Sequence, residues 1–378
     1  MAKKKTTKFK EAIGIDIGTH SVKMVHLRKT SDSFKLINYS IKPTIPDGIE
    51  YIPSDLRKDR YIPVILEMMR SLKINPKKVS RLVSAVGGEQ VSIKQIKTIF
   101  LPDDELESAL FFEAKKHLAI AGGEMILDFQ VLSVEEKTNN MNVLLVATTK
   151  EHLKAHTEIL TAVGLTPHYV DVETLAVANS YAFNAYPEDG VYIILNIGAH
   201  RTNMVVYSTN SKFFARDIDF GGYHITKDIM RKYDLSFEEA EIYKTECGTA
   251  EPSEYDRHAS DALSDIIHKI KNQTQAAEND LSISSLDIAE KPALENIALE
   301  VKRSLRYYVK DAGNSDFKKV LIVGGTAKLP GIREYLEENI NIPCEVFDPF
   351  YNVEIPDKYK NKRDPQLALA IGLAMRKD

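Results

Sequence analysis

The chain has 378 residues, enough at roughly 100–200 residues per domain for two or three compact units. Hydrophobic residues make up 43% and charged residues 28%, with 18 glycines and 15 prolines, an ordinary globular composition that excludes collagenous and wholly disordered classes. Lys+Arg 50 against Asp+Glu 54 leave a net charge of −4, so no global positive field exists to hold nucleic acid, and two cysteines exclude a disulfide scaffold or a Cys-built zinc site.

The amino terminus, MAKKKTTKFKEA, has no apolar stretch long enough for a signal peptide behind its lysines, and residues 1–10 read as a mobile basic tail. A strand, turn and strand follow in IGIDIGTHSVKMVHL, then a third strand in FKLINYSIKP, with TSDS as the intervening turn. Residues 89–166 read as a small inserted α+β unit. It has a strand at VSIKQIKTIF, a helix opened by LPDDELESALFFEAKKHL, and two strands, MILDFQVLSV and MNVLLVATT, hinged by KTNN. The helix KEHLKAHTEILTAVG closes it, with Leu153, Ile159, Leu160 and Val163 roughly on one face and Gly164 at its end.

From residue 193 the opening pattern returns. IILNIGAHRTNMVVY aligns with IGIDIGTHSVKMVHL at an offset of 180, and the identities at six of fifteen positions, followed by a third strand in KFFARDIDFGG, argue for duplication. Residues 11–88 and 167–188 are then a first lobe and 189–378 a second. Asp256 to Pro292 is polar and reads as exposed helix and loop; Leu294, Ile297, Val301, Leu305 and Tyr308 fall at helical spacing. KKVLIVGGTAKLPGIREYL reads as strand, glycine turn and helix, and Asp364 and Pro365 start a final small-residue helix. The longest apolar runs, VYIIL and NVLLVA, fall far short of the roughly 20 residues of a membrane span.

The turn Asp16-Ile17-Gly18-Thr19-His20-Ser21 can direct successive N–H groups into one concavity suited to phosphate, with hydroxyls from Thr19 and Ser21 and charge from Lys23. Asp16 can hold the water shell of a phosphate-bound Mg²⁺ ion. A hairpin with a plain glycine turn is the other reading of this motif. Gly198-Ala199-His200-Arg201-Thr202 would form a second jaw across a cleft, and Gly324-Gly325-Thr326 a surface for a base or ribose. Three such turns favour a nucleotide between the lobes. His20 and His200 lack acidic partners at ligand spacing and read as turn or cleft residues; Cys247 and Cys344 read as structural.

The ordered set DIGTHSVK, VDVETLAVA, NIGAHRT, DFGG and IVGGTAKLPG resembles the actin-like ATPase superfamily along essentially the whole chain. The inserted unit narrows the resemblance to the FtsA/PilM branch, and VLLVATTKEHLKAHTEILTAVGLTPHYVDVETLAVAN and FGGYHITKDIMRKYDLSFEEAEIYK are most similar to the PilM family of type IV pilus assembly proteins. The chain stops at Met375-Arg376-Lys377-Asp378, without the amphipathic anchor expected of FtsA. The resemblance implies an α/β actin-like ATPase fold of two duplicated ribonuclease-H-like lobes, with the α+β subdomain inserted in the first.

By the same resemblance, ATP with Mg²⁺ is the expected cofactor. Asp16, Gly18, Thr19, His20, Ser21 and Lys23 match the first phosphate loop, with Asp16 reaching the metal through water. Glu173 matches the residue that orients attacking water. Asn196, Gly198, Ala199 and Thr202 match the second phosphate loop, Glu241 and Lys244 the nucleoside-contacting positions, and Gly324, Gly325 and Thr326 the adenosine loop; Gly221 and Gly222 belong to the DFGG motif. Asn196 departs from the usual Asp, which leaves ATP binding more secure than hydrolysis and implies at most a slow ATPase. The implied role is a cytoplasmic adaptor at the inner face of the cell membrane. Its expected partners are the amino-terminal cytoplasmic tail of the inner-membrane protein PilN and other pilus inner-membrane proteins, with membrane association indirect and self-assembly left open. The alternatives are an FtsA-like filament former, or a small-molecule kinase with Asp171 as its base.

Overall fold

A computed structural model describes residues 10–51, 58–118, 123–135, 137–184, 189–250, 260–278 and 291–377. The lysine tail up to residue 9, and residues 256–259 and 279–290 of the polar segment, lie outside these.

Alternating apolar residues fold β1 (Glu11–Ile17), β2 (Ser21–Lys29) and β3 (Phe34–Pro43) into an antiparallel meander in which Asp16 faces Lys23. After α1 (Lys58–Ser71), β4 (Leu82–Val86) joins β1 in parallel. The inserted unit follows with β5 (Val91–Ile99), α2 (Asp103–His117), β6 (Met125–Glu135) and β7 (Asn140–Thr149), in sheet order β5-β7-β6. Leu106, Leu110 and Ala114 of α2 close a separate core over Met141, Val143 and Leu145 of β7. Then come α3 (Lys150–Ala162), β8 (Tyr169–Val172), parallel to β4, and α4 (Glu173–Asn184).

The second lobe repeats the plan. β9 (Val191–Ile197), β10 (Thr202–Ser208) and β11 (Phe214–Ile218) form the second meander, and β1 and β9 begin and end 180 residues apart. Among the described residues four helices follow: α5 (Gly222–Tyr233), α6 (Phe237–Cys247), α7 (Asp261–Glu278) and α8 (Ala293–Ala312). Ser236 caps α6, accepting from Glu239 N–H while the Glu239 carboxylate accepts from Ser236 N–H, so this helix start is set by local sequence. β12 (Phe317–Val323), α9 (Ile332–Ile340) and β13 (Cys344–Val346) complete a sheet of order β11-β10-β9-β12-β13. The chain ends through β14 (Val353–Glu354) and α10 (Ala368–Met375), the latter preceded by a 3-10 turn in which Asp364 caps Gln366 N–H.

Three expectations need correction. The carboxy-terminal segment does not belong wholly to the second lobe. β14 extends the first sheet, whose order is β14-β3-β2-β1-β4-β8, and Ala370, Ile371, Ala374 and Met375 pack with Val25, Leu27 and Leu36 of the first meander. α3 returns to the first lobe too, since Leu160 and Val163 join Ile13, Ile15, Ile65 and Met68, so the separate core of the insert ends at β7. The helix inside the polar segment, α7, is not simply exposed: Leu263, Ile266, Ile267 and Ile270 lie in the second-lobe core. Four apolar residues at helical spacing suffice to bury one face even in a polar helix.

Between the two sheets lie α4 and α10, in a core that joins Val83 and Ala85 of β4 to Ile194, Val205 and Leu321 of the second sheet. The backbones touch. A Cβ on Gly372 would stand 1.7 Å from Ala176 O, and one on Gly14 would stand 2.0 Å from Ala370 O. Overpacking of a tight core costs typically about 1–3 kcal/mol and occasionally more. Gly372→Ala is therefore expected to lower stability by about 3 kcal/mol or more, read as an earlier urea midpoint; an unchanged midpoint would show that the helices can separate freely.

Candidate functional site in the interlobe cleft

The two meanders place their glycine turns on opposite sides of a cavity of about 700 Å³, within the 300–1,000 Å³ range of small-molecule sites. Asp16, Gly18, Thr19, His20, Ser21 and Lys23 line it from the first turn. Asn196, Gly198, Ala199, His200 and Arg201 line it from the second. Glu173 arrives from the first residue of α4, Gly222 from α5, Glu241 and Lys244 from α6, and Gly324, Gly325 and Thr326 from the turn after β12. Two expected residues do not reach the wall. Thr202 is fully buried and its hydroxyl donates to Phe220 O at 2.7 Å, while Gly221 presses on the Gly198–Ala199 backbone, where a Cβ would stand 2.7 Å from Gly198 O. Both shape the second turn from behind.

At one end of the cavity, Lys23 Nζ lies 3.1 Å from Asp16 Oδ2. The positions 180 residues later hold Asn196 and Asn203, whose amides make the corresponding contact at 2.8 Å. Asn203 Nδ2 also donates to Glu173 Oε2 at 3.1 Å and to Asp217 Oδ1 at 2.8 Å, and Asp217 Oδ2 accepts the Gly88 N–H at 2.9 Å. Desolvation, reinforced by Asp16 and Asp217, pushes the Glu173 carboxyl up to about 7, against the opposing pull of Arg201. Burial holds the His20 and His200 imidazoles below their ordinary range. His200 stacks on His224 with centroids 4.8 Å apart.

At the other end, Lys244 Nζ bonds Glu241 and Thr226 Oγ1, the latter at 2.7 Å, and burial lowers the lysine's pKa while Glu241 opposes it. Gly324 has φ +93°, and a Cβ there would stand 2.4 Å from Ile197 O, so only glycine fits. Thr326 Oγ1 donates to Gly198 O at 3.0 Å, tying this turn to the second one. Gly325 differs: a Cβ would meet only Gln366 Oε1, at 3.5 Å, so its bareness serves the cavity and not the packing.

A family model for the type IV pilus assembly protein PilM matches residues 14–277. The chain belongs to the PilM family. A model for cell division protein FtsA matches residues 193–372. FtsA of Bacillus subtilis (strain 168) is 23% identical over 389 residues, covering 96% of this chain and 82% of that protein. FtsA of Helicobacter pylori (strain J99) is 22% identical over 217 residues, 55% of this chain and 42% of its own length. Among solved structures, the PilM-PilN type IV pilus biogenesis complex superposes with TM-score 0.73 at 22% identity, covering 97% of this chain and 98% of that one. The ethanolamine utilization protein EutJ from Carboxydothermus hydrogenoformans gives 0.51 at 17% identity, covering 97% and 89%. The fold is the actin-like ATPase fold, as the motif order implied.

Sequence reasoning missed several residues around the cavity. Asn203 was within reach, because the 180-residue offset sets it opposite Lys23. Asp217 and Tyr51 carry no such signal. Tyr51, in the connection after β3, crosses the cleft to stand 5.2 Å from Tyr223 and 6.3 Å from Phe237, and the neighbouring Glu50 pairs with Lys227 at 2.7 Å. Asp171 does not take the position that the kinase alternative gave it: it is buried, ion-paired to Arg376 and absent from the cavity wall. The thiols of Cys247 and Cys344 are buried and pushed up to about 11 and about 12, which keeps both protonated near neutrality.

Because the folded state raises the Glu173 pKa from 4.5 to about 7, it favours the protonated form; that contribution is full below about 4.5 and lost as pH rises through 7. Glu173→Gln keeps the amide-bonding oxygen and cannot ionise. It should raise the melting temperature by at least about 2 °C at pH 8 and leave it unchanged below pH 4.5. A gap independent of pH would contradict the assigned carboxylate environment.

Proposed function

We propose that this chain is a cytoplasmic ATP-binding adaptor of the type IV pilus machine, held at the inner face of the membrane by a peptide partner and at most a slow ATPase. The observation that carries the reading is the convergence of three glycine turns on one interlobe cavity in a PilM-family chain. In this reading the N–H groups and hydroxyls of the turn at Gly18 and the charge of Lys23 bind phosphates, and Glu241 and Lys244 hold the ribose. Gly324, Gly325 and Thr326 receive the base. Magnesium supplies charge neutralisation of the phosphates when bound. Asp16 fits its water shell as a cavity carboxylate.

Glu173 stands at the same end of the cavity as the partner of water, but at neutral pH it is only partly ionised, and Asn196 brings no charge to the metal. Both weaken hydrolysis while leaving binding intact. For the partner, the supporting feature is the insert: β6 is an edge of the three-stranded sheet, and Ile99, Phe100, Leu132 and Val134 are exposed where the ends of β5 and β6 flank the start of β7. An open strand edge beside apolar side chains suits an extended peptide added as a further strand. The PilM-PilN complex is the reason to name the cytoplasmic tail of a PilN-type protein as that peptide. Among the described residues no helix is long and apolar enough to cross a membrane.

The two halves of this reading separate cleanly in one titration experiment. Lys23→Ala should weaken Mg·ATP binding at least tenfold by calorimetry while leaving affinity for the PilN-type peptide within twofold, and Val134→Asp should do the reverse. Unchanged ATP affinity in the first variant removes the nucleotide site, and unchanged peptide affinity in the second moves the partner away from β6.

A further inference from the structure

The two turns at the phosphate end of the cavity are related by duplication but are not chemically equivalent. Asp16, Thr19, Ser21 and Lys23 of the first correspond to Asn196, Ala199, Arg201 and Asn203 of the second. In the first turn the acid and the lysine pair at 3.1 Å and cancel. In the second, the two amides bond each other at 2.8 Å and Arg201 is the formal charge that remains. The duplicated frame therefore sets an arginine across the cavity from Ser21.

That guanidinium is both available and held in place. Of the cations on the cavity wall, Lys23, Lys244 and Lys328 have close carboxylates, the last at 3.2 Å, whereas Arg201 meets Asp219 only at 3.9 Å, and Asp219 is 64% exposed. The side chain of Arg201 is itself only 34% exposed. It packs against the backbone at Gly88, where a Cβ would stand 1.5 Å from Nη1, and Gly88 is fixed in turn by Asp217. A guanidinium so held offers paired donors in a fixed plane, the geometry that matches two oxygens of one phosphoryl group.

Resting on the reading of the cavity as a nucleotide site, we propose that Arg201 contacts the terminal phosphate of a bound nucleoside triphosphate and makes the cavity prefer a triphosphate to a diphosphate. Asn196 supports this role, because its neutral amide, bonded to Asn203, puts no carboxylate at that position for Arg201 to pair with. The second turn thus brings a cation without a close carboxylate to the anion, where the first turn binds through its N–H groups, its hydroxyls and a lysine already paired with Asp16.

The test is calorimetric titration of Mg²⁺ with either a non-hydrolysable ATP analogue or ADP into the full chain, its Arg201→Gln variant and its Arg201→Lys variant. The wild type should prefer the triphosphate at least tenfold. Arg201→Gln should lose at least tenfold in triphosphate affinity with ADP affinity within twofold, and Arg201→Lys, which keeps the charge without the fork, should lie between. If Arg201→Gln does not fold by circular dichroism, the lysine variant carries the same comparison. Equal losses for both nucleotides, or no loss for either, overturn the proposal by showing that Arg201 serves only structure. A wild type that binds both equally overturns the proposal alone, and one that binds neither overturns the nucleotide reading with it.

Discussion

Backbone contact of α10 with β1 and with α4, the helices that lie between the two sheets, is the constraint on which the rest depends. α4 and α10 fit between the sheets only because Gly14 and Gly372 have no side chains, which lets β1, α10 and α4 meet at backbone distance. That packing fixes the cleft. Glu173 enters the cavity because α4 starts at its rim, and Gly324 N–H donates to Pro365 O at 3.1 Å, so the third turn is tied to the approach to α10. The pair of buried Asp171 with part-exposed Arg376 secures the far end of α10 against β8. A site composed of turns from three parts of the chain thus hangs on two central helices and two glycines.

Within that frame the electrostatics of the two turns diverge. A neutral ion pair at Asp16 and Lys23 faces an amide pair at Asn196 and Asn203, and the amides hold Glu173 and Asp217 in one hydrogen-bonded cluster. Carboxylates gathered in a desolvated place resist full ionisation, which is why the Glu173 pKa rises to about 7. Under the proposed function, a base so tuned, beside a turn with one acid fewer, would favour retention of a nucleotide over its turnover. The same cluster reaches the root of the insert through the Gly88 N–H, so the cavity and the inserted sheet share a junction of two residues, Gly87 and Gly88.

Much of this was legible in the sequence because duplication leaves a signal that needs no structure. The offset of 180 located both meanders, and their glycine turns marked the rim of the cavity. Local chemistry also read true at Asp364, which caps the turn before α10, and at Gly164, which has φ +77° just after α3. What was not legible is what packing alone decides. α3 follows the insert in sequence yet packs on α1, and α10 follows the second lobe yet packs on β1, because their apolar faces match those cores better. Asp171 was the carboxylate candidate for a kinase base; its side chain pairs with Arg376 instead. Tyr51 meets Tyr223 across 172 positions of chain, a contact that no local pattern announces.

The central claim is that one nucleotide engages both lobes at once, through turns that the two glycine contacts hold face to face. Hydrogen exchange followed by mass spectrometry, with and without Mg·ATP, addresses it directly, since amides bonded to a ligand exchange only when the ligand leaves. The account predicts slowed exchange in residues 18–21, 198–201 and 324–326 together, at a common ATP concentration. Slowed exchange confined to one of these turns, or no change in any of them, would contradict it.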